Sequence, residues 1–449
     1  MRPNIASITG ASRVAGPRPP STVHRPLDLA VLALLATVTN FAFLYFSNGD
    51  YFYPDSATYL GPAKNLLHGL GYILEPGYPE TMRTPGYPVF LLPFLAITNS
   101  VLPILIVQHL MNVALTIAIY VTVLRLGFER RTAFFAALIF AIDIPSIHHA
   151  NKVLTETLFT LLLFVVFVLA LRLSENTRLT FVAGVGLLCG ALVLVRPVAI
   201  VCFVVLAIVL APKLRARGAI VLLLAGALIP IAWASRNRME TGVFTISSVG
   251  GSSMLEYRAA GAIAILDDYD FKEALADRQG EVTDVADAEI VRREHAEDAD
   301  DVDPTVRSRY YGEIGRRIAL EHPGGLLLVT ARGLLVELFD SDWAALGIIS
   351  RLPQHLIELL LNVWTLLVFV LACFGTVSLF RTHRSFAVLL LATVLYFLLI
   401  SAGGESEARF RVPVMPMIAI ASAVGLQRIR GGSYETNHPS RSDHTLLPR

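Results

Sequence analysis

The chain has 449 residues, of which 54% are hydrophobic and only 16% are charged, and its mean hydropathy is +0.60. Soluble domains carry about 25% charged residues, so this composition excludes an ordinary soluble protein and indicates a polytopic membrane protein. The net charge of +1 comes without a basic patch interleaved with aromatic residues, which excludes a nucleic acid partner. The cysteines Cys189, Cys202 and Cys373 lie in apolar runs without CxxC spacing and predict no disulfide or metal site.

Residues 1–26 contain four arginines among prolines and no apolar core, so they predict a disordered cytoplasmic tail rather than a signal peptide. The polar residues 431–449 predict a second such tail. Between them lie apolar runs, most of them near the roughly 20 residues that a span needs. They predict an all-α bundle of about ten transmembrane helices at 29–46, 101–124, 132–149, 153–172, 179–195, 198–212, 219–235, 355–379, 385–402 and 412–427.

Two shorter apolar runs, 87–98 and 324–340, predict helices that lie in the membrane interface. Pro197 separates the fifth and sixth spans, which favours a tight hairpin there. The chain thus divides into an N-terminal transmembrane module (27–235) with a large outer loop (47–100), a long outer loop (236–354) and C-terminal transmembrane helices (355–430).

The basic residues predict the orientation of the bundle. With the N-terminus in the cytoplasm, every inner loop carries at least two Lys or Arg, as the positive-inside rule requires. These inner loops are 125–131, 172–178, 213–217, 381–384 and 428–430. The polar, non-basic segments then converge on one outer face: 50–88, the turn near Asn151, the Arg196–Pro197 turn, 236–354 and 403–413.

The long outer loop changes character along its length. From Asp267 to Asp303, fifteen acids stand against four bases and apolar residues are sparse, which predicts a solvated or partly ordered insertion. Asp303 and Pro304 then start an amphipathic helix. After His322–Pro323, a second interfacial helix follows that carries Arg332 and Glu337.

The stretch from Asp50 to Pro88 is too polar to cross a membrane, although apolar runs flank it. Asp55 and Tyr59 are one helical turn apart, which places a carboxylate and a phenol on one helix face. Asp55 is interpreted as a general base that takes a proton from an acceptor hydroxyl, with its pKa raised by the low-dielectric bundle behind it. The alternative is that Asp55 caps the helix that follows Pro54.

Glu156, at the outer end of the fourth predicted span, is the second candidate acid. An acidic residue just inside an apolar run is costly and by default functional. The alternative is a salt bridge with Lys152, one turn earlier. Asp143 and His148 end the third span on the same side, and a metal ion at His148 or His149 is an alternative to a structural role for these histidines. A divalent cation is therefore the one cofactor that the sequence leaves open.

Six arginines fall on the outer face against the positive-inside trend: Arg196, Arg236, Arg258, Arg332, Arg409 and Arg411. Guanidinium groups bind phosphate oxygens through paired hydrogen bonds, so these residues are candidate ligands of an anionic substrate, together with Tyr59 and Arg83 in the first outer loop. Pairing with outer acids such as Glu405 and Glu407, or with lipid headgroups, is the alternative for each arginine. Because no glycine motif for nucleotides is present, an activated substrate is expected to arrive within the membrane.

Several short motifs occur in a fixed order over nearly the whole chain: Asp55-x-x-x-Tyr59, Gly69-Leu70-Gly71-Tyr72, Arg83-Thr84-Pro85-Gly86-Tyr87-Pro88, Thr155-Glu156, Arg196-Pro197, Arg236-Asn237, His322-Pro323 and Arg409-Phe410-Arg411-Val412-Pro413. In this order the chain resembles the GT-C superfamily of integral-membrane glycosyltransferases, and in particular the aminoarabinose transferases and protein O-mannosyltransferases of glycosyltransferase family 39. It departs from many relatives in having Ser56, not a second acid, after Asp55.

The resemblance implies an inverting glycosyltransferase of the plasma membrane that moves a sugar from a polyprenyl-phosphate donor to a glycan, lipid or protein acceptor at the outer, extracytoplasmic face. It implies that Asp55 is the catalytic base, that Glu156 holds substrate or a cation, and that the arginines hold the lipid phosphate. Two other functions stay open. One is a flippase or transporter of polyprenyl-linked lipid or sugar, and the other is a ligase that uses a polyprenyl-diphosphate donor.

Overall fold

The computed structural model describes residues 26–173, 177–342, 345–346 and 353–430. The predicted tails, 1–26 and 431–449, lie outside these ranges apart from Pro26, which begins the first helix. The described chain is helical apart from its loops and one two-stranded hairpin, so the all-α prediction is confirmed.

The elements of the N-terminal half lead into and out of the first outer loop. They are α1 (Pro26–Phe46), α2 (Ser56–Leu67), β1 (Ile73–Glu75), β2 (Tyr78–Pro79), α3 (Gly86–Leu95), α4 (Leu102–Arg125), α5 (Arg130–Ala141), α6 (Ile144–Ala150), α7 (Glu156–Ala170), α8 (Leu179–Val195), a 3-10 helix (Pro197–Val201) and α9 (Cys202–Thr241). The strands pair antiparallel, with Ile73 opposite Pro79.

The second half contains the outer helices and then the last spans. Its elements are α10 (Val249–Ser252), a π-helix (Ser253–Ala259), α11 (Ala260–Ala264), α12 (Phe271–Glu294), a 3-10 helix (Ala299–Asp301), α13 (Pro304–Glu321), α14 (Pro323–Phe339), α15 (Gln354–Thr382), α16 (Arg384–Ser401), a 3-10 helix (Ala408–Val414) and α17 (Met415–Ile429).

Six of the described helical segments are long and apolar enough to cross a membrane. A seventh span forms if α5 and α6, which meet at 52°, are counted together. The span predicted at 132–149 is therefore a bent pair of helices. Asp143 accepts a hydrogen bond from the Ser146 backbone at 3.0 Å, and Pro145 stands in the first turn of α6, so a new helix begins there.

The spans predicted at 198–212 and 219–235 are the two halves of α9. The helix breaks at Arg215, where φ is 56°. A Cβ at Gly226 would lie 2.6 Å from Phe203 Cγ, although residues so far apart in a straight helix are separated by about 35 Å. The halves therefore fold back side by side. With α9 counted as two segments, each of the ten predicted spans matches an apolar helical segment of the described chain, and the protein is a multi-pass membrane protein.

The acidic insertion is more ordered than predicted, because most of it forms α12. Ala274, Val282, Ala286 and Ile290 recur at helical spacing and are buried on one face of α12. Val282, Ala286 and Ile290 pack in a cluster with residues of the π-helix and α13. The acids occupy the remaining faces, so an amphipathic surface helix, not a solvated loop, accounts for this composition.

The predicted interfacial helices are present as α3 and α14, and α14 carries Arg332 and Glu337. The helix predicted after Asp303 is α13. Its start is fixed by the Asp303 side chain, which accepts a hydrogen bond from the Thr305 backbone at 2.8 Å. α13 contacts the loop 47–100 where Thr305 Oγ1 lies 2.8 Å from Thr81 Oγ1.

Candidate functional site

Asp55 lies directly before α2, but its side chain does not cap that helix. Arg83 Nη2 donates to Asp55 Oδ1 at 2.9 Å, and Arg409 Nη1 donates to Asp55 Oδ2 at 3.0 Å. The capping alternative is therefore not what the structure shows. Asp55 joins two guanidinium groups from opposite ends of the chain.

Arg83 also contacts the first turn of α2. Its Nε donates to Thr58 Oγ1 at 2.8 Å and its Nη1 to the Tyr59 hydroxyl at 3.3 Å, while the guanidinium carbon lies 4.7 Å from the centre of the Tyr59 ring. The helical spacing predicted that Asp55 and Tyr59 lie on one face. Both side chains contact the Arg83 guanidinium group.

The segment between α2 and α3 holds the backbone of Arg83. Its N–H donates to Glu80 Oε1 at 2.7 Å, and the Tyr72 hydroxyl donates to its carbonyl at 2.8 Å. Three residues later, a Cβ at Gly86 would lie 2.5 Å from the Leu194 carbonyl oxygen. Only glycine allows α3 to approach the end of α8 this closely, so Gly86 brings Arg83 near the segment that carries Arg196.

Glu156 is the first residue of α7, and only 2% of its surface is exposed. Its Oε1 lies 3.0 Å from Arg196 Nη1, at the turn between α8 and the following 3-10 helix. The alternative pairing with Lys152 is not observed, because Lys152 Nζ lies 2.5 Å from Asp50 Oδ1. The second predicted acid therefore also pairs with an outer arginine.

Arg409 projects from the 3-10 helix Ala408–Val414 between aromatic rings. Its guanidinium carbon lies 4.8 Å from the ring centre of Tyr53 and 5.0 Å from that of Phe410. Its Nε lies 3.0 Å from Glu407 Oε2, which also accepts a hydrogen bond from the Tyr53 hydroxyl at 2.7 Å. This packing fixes the direction of the guanidinium group toward Asp55.

These residues line one cavity of about 630 Å³. Asp55, Tyr59, Arg83, Glu156, Arg196, Arg258 and Arg409 form its polar wall, and its apolar wall includes Leu154, Val198, Ile200, Phe397, Ile400, Phe410 and Pro413. Two buried arginine atoms, Arg196 Nη1 and Arg409 Nε, lie near carboxylates but have no aligned hydrogen-bond acceptor among the described residues. Both nitrogens are buried and lie 3.0 Å from the carboxylates of Glu156 and Glu407, so these ion pairs offset their charge.

The expected rise in the pKa of Asp55 is wrong. Burial alone would raise this pKa, but the Arg83 and Arg409 guanidinium groups outweigh burial and hold it below the usual value of aspartate. Asp55 is therefore a weak base in the arrangement described.

Three of the predicted substrate-binding arginines lie outside the cavity. Arg236 donates to the carbonyls of Tyr72 and Glu80 and so braces the first outer loop. Arg332 stacks at 3.9 Å from the centre of the Phe271 ring. Arg411 is 2% exposed and donates to the carbonyls of Glu337 and Asp340. Their contacts are structural because each guanidinium is directed at backbone or an aromatic ring rather than at the cavity.

Two residues of the cavity, Glu256 and Glu405, were not predicted from the sequence to be catalytic. Glu256 belongs to the π-helix, and no motif surrounds it in the sequence. Glu405 stands in the charged segment before the last span, where only its pairing with arginines was considered. Both line the cavity with Asp55.

A group of side chains that could bind a metal ion lies beside the cavity. The ligand atoms of His148, His149 and Asp342 all fall within 4.8 Å of one another, and His148 Nδ1 is 2.5 Å from Asp342 Oδ2. His149 Nδ1 donates to the Pro145 carbonyl at 2.9 Å and lies 3.8 Å from Asp342 Oδ2. Two imidazoles and a carboxylate suit a divalent transition metal. None of the three lines the cavity, although the His149 ring centre is 6.3 Å from that of Tyr53.

No protein-family model and no curated protein matches the chain. Among solved structures, the apo crystal structure of the Archaeoglobus fulgidus oligosaccharyltransferase aligns with a TM-score of 0.48 and 13% identity, over 90% of this chain and 50% of that one. The archaeal oligosaccharyltransferase AglB from the same organism, in complex with an inhibitory peptide and a dolichol-phosphate, aligns with a TM-score of 0.49 and 16% identity over 90% and 50% of the two chains. The chain spans about half the length of the solved structures that it resembles.

Proposed function

We propose that the protein is a membrane glycosyltransferase that moves a sugar, with inversion, from a polyprenyl-phosphate donor to an acceptor at the outer face of the membrane. One observation carries this proposal: the basic side chains of Arg83, Arg196 and Arg409 line a cavity that also has an apolar wall. A phosphate ester of a long hydrocarbon matches both features, since guanidinium groups bind its oxygens and apolar side chains contact its chain.

In this proposal the arginines stabilise the leaving group. When the bond between the anomeric carbon and the phosphate oxygen breaks, negative charge grows on the phosphate, and fixed donors from Arg83, Arg196 and Arg409 lower the energy of that state. Arg258 lies farther along the wall, where it donates to the Ile400 and Ala402 carbonyls. Its guanidinium group adds a further positive charge to the lining of the cavity.

Asp55 and Glu156, the predicted catalytic acids, are proposed to act by holding these guanidinium groups. Each carboxylate lies within 3.0 Å of at least one arginine nitrogen, and both face the cavity. The role of Asp55 as the proton acceptor stays a prediction, which the kinetics of Asp55→Asn test.

The flippase alternative finds no support in the polar residues of the spans. Gln108, His109 and Asn112 of α4 are buried and hydrogen-bonded. Gln108 Nε2 donates to the Lys152 carbonyl at 2.7 Å, His109 Nδ1 lies 2.9 Å from Asn40 Oδ1, and Asn112 Nδ2 donates to the Ser146 carbonyl at 2.9 Å. These contacts join α1, α4 and α6, which favours a structural role for these three residues over a translocation path.

The experiment uses the full chain in lipid nanodiscs with matched donors that differ only in carrying one phosphate or two, and with glycan, lipid and protein acceptor mixtures. We expect a monophosphate donor to be consumed with a glycosylated product, detected by mass spectrometry. Consumption of diphosphate donors alone would favour the ligase. Translocation of donor in proteoliposomes without any transfer would favour the flippase and contradict the proposal.

A further inference from the structure

The proposed reaction needs a group that removes the proton from the acceptor hydroxyl, and the arginine-paired acids are poor candidates. Four acids line the cavity: Asp55, Glu156, Glu256 and Glu405. Asp55 and Glu156 are in ion pairs with arginines. A carboxylate that already neutralises a guanidinium group is less basic, because protonation would break the ion pair.

Glu256 is held differently. It lies on the π-helix Ser253–Ala259, and the consecutive residues Glu256, Tyr257 and Arg258 all line the cavity. A π-helix has a wider turn than an α-helix and occurs often at functional sites. Within the described part of the chain, the Glu256 carboxylate has no hydrogen-bond or ion-pair partner, and the side chain is half-buried. It therefore offers a free acceptor to a molecule in the cavity.

We propose that Glu256 is the catalytic base of the transfer, an inference that rests on the proposed function. The acceptor oxygen forms a bond to the anomeric carbon while the bond from that carbon to the phosphate oxygen breaks. The electron pair of the broken bond leaves with the phosphate, and the hydroxyl proton passes to the Glu256 carboxylate. The arginines and Glu256 thus act on the leaving group and on the acceptor, respectively.

The surroundings of Glu256 support this role. Burial raises the pKa of Glu256 above the usual value of glutamate, which makes it a better base than Asp55. Burial also raises the pKa of Glu405, but Glu405 is buried more deeply and feels the positive charge of Arg258. The other titratable and charged groups around Glu256 are Tyr257 and Arg258 on its own helix, Tyr311 of α13 with its partner Asp287 of α12, and the cavity-lining Asp55, Glu405 and Arg409.

The test compares Glu256→Gln with Glu273→Gln, an exposed acid of α12 outside the cavity, in the nanodisc assay with the monophosphate donor that the wild type consumes. If the wild type consumes none, the proposed function fails and not this inference alone. We expect Glu256→Gln to lower kcat by about 100-fold or more, with the KM for donor changed by less than about threefold, while Glu273→Gln matches the wild type. The acidic limb of the pH profile should disappear in Glu256→Gln.

A second variant, Glu256→Ala, tests whether a loss of transfer comes from misfolding. In Glu256→Ala, added formate can occupy the vacated space and supply the missing carboxylate, so we expect it to restore part of the transfer. Near-wild-type kcat in Glu256→Gln would overturn the inference. So would loss of the acidic limb in Glu405→Gln but not in Glu256→Gln, or a failure of formate to increase transfer in folded Glu256→Ala.

Discussion

The acids that line the cavity fall into two groups in opposite electrostatic settings: the paired wall, formed by Asp55 and Glu156 with their arginines, and the unpaired wall, formed by Glu256. On one wall, Asp55 lies between Arg83 and Arg409, which hold its pKa below the usual value. On the other wall, Glu256 has no such partner and burial raises its pKa. Burial penalises the charged form on both walls, so the arginines decide the difference. The paired wall is suited to holding a phosphate, and the unpaired wall is suited to accepting a proton.

The strongest way to break the paired wall is Arg409→Ala. This change removes a buried cation from Asp55 and Glu407 and a donor from the proposed phosphate site. We expect transfer to fall by about 100- to 1,000-fold, as for loss of one fixed donor to a developing anion. Arg332→Ala is the matched control, since Arg332 stacks on Phe271 away from the cavity. Equal activity of the two variants would remove Arg409 from the site.

Gly86→Ala disturbs the paired wall without deleting any functional group. The new methyl carbon would lie 2.5 Å from the Leu194 carbonyl oxygen, so α3 and α8 must move apart and carry Arg83 and Arg196 with them. A displacement near 1 Å can cost about 100-fold in rate. We expect a loss approaching that size in steady-state transfer. Gly280→Ala on α12, where a Cβ meets open space, should leave the rate unchanged.

The variant Asp55→Asn tests whether Asp55 positions the arginines or accepts the proton. If Asp55 holds the arginines, the KM for donor should rise by about tenfold while the pH profile keeps its acidic limb. Initial rates over a range of donor concentrations measure both quantities. A fall in kcat at unchanged KM, with loss of the acidic limb, would instead assign the base to Asp55 and contradict the role of Glu256.

A buried acid outside the cavity, Glu337, gives the smallest effect and a pH dependence of stability. Burial raises its pKa to about 8, opposed in part by Ser401 and Ser406. Between its ordinary pKa and about 8, the folded protein keeps a proton that the unfolded chain releases, so stability falls as pH rises through this window. Thermal unfolding should show the melting temperature dropping by a few degrees from about pH 5 to about pH 8 in the wild type. Glu337→Gln should show a smaller drop, and an equal drop would contradict the raised pKa.

Some features that depend only on neighbouring residues, such as the start of a helix, were predicted correctly from the sequence. Asp303 and Pro304 start α13 where predicted, because capping depends on neighbours in sequence. The partners of the arginines were not predictable in this way. Arg409 reaches Asp55 across 354 residues, while Arg411, two positions later, turns away to the Glu337 and Asp340 carbonyls. The bend at Asp143 was also missed, although Asp143 and Pro145 form a helix-start signal.

The sequence by itself determined the multi-pass helical class and the apolar segments, because these follow from periodicity and caps over short distances. Only the tertiary structure decided which acids are paired and which are free. That choice depends on long-range packing, such as the approach of α3 to α8 at Gly86 and the placement of Arg409 beside Asp55. The same choice separates the two walls of the cavity.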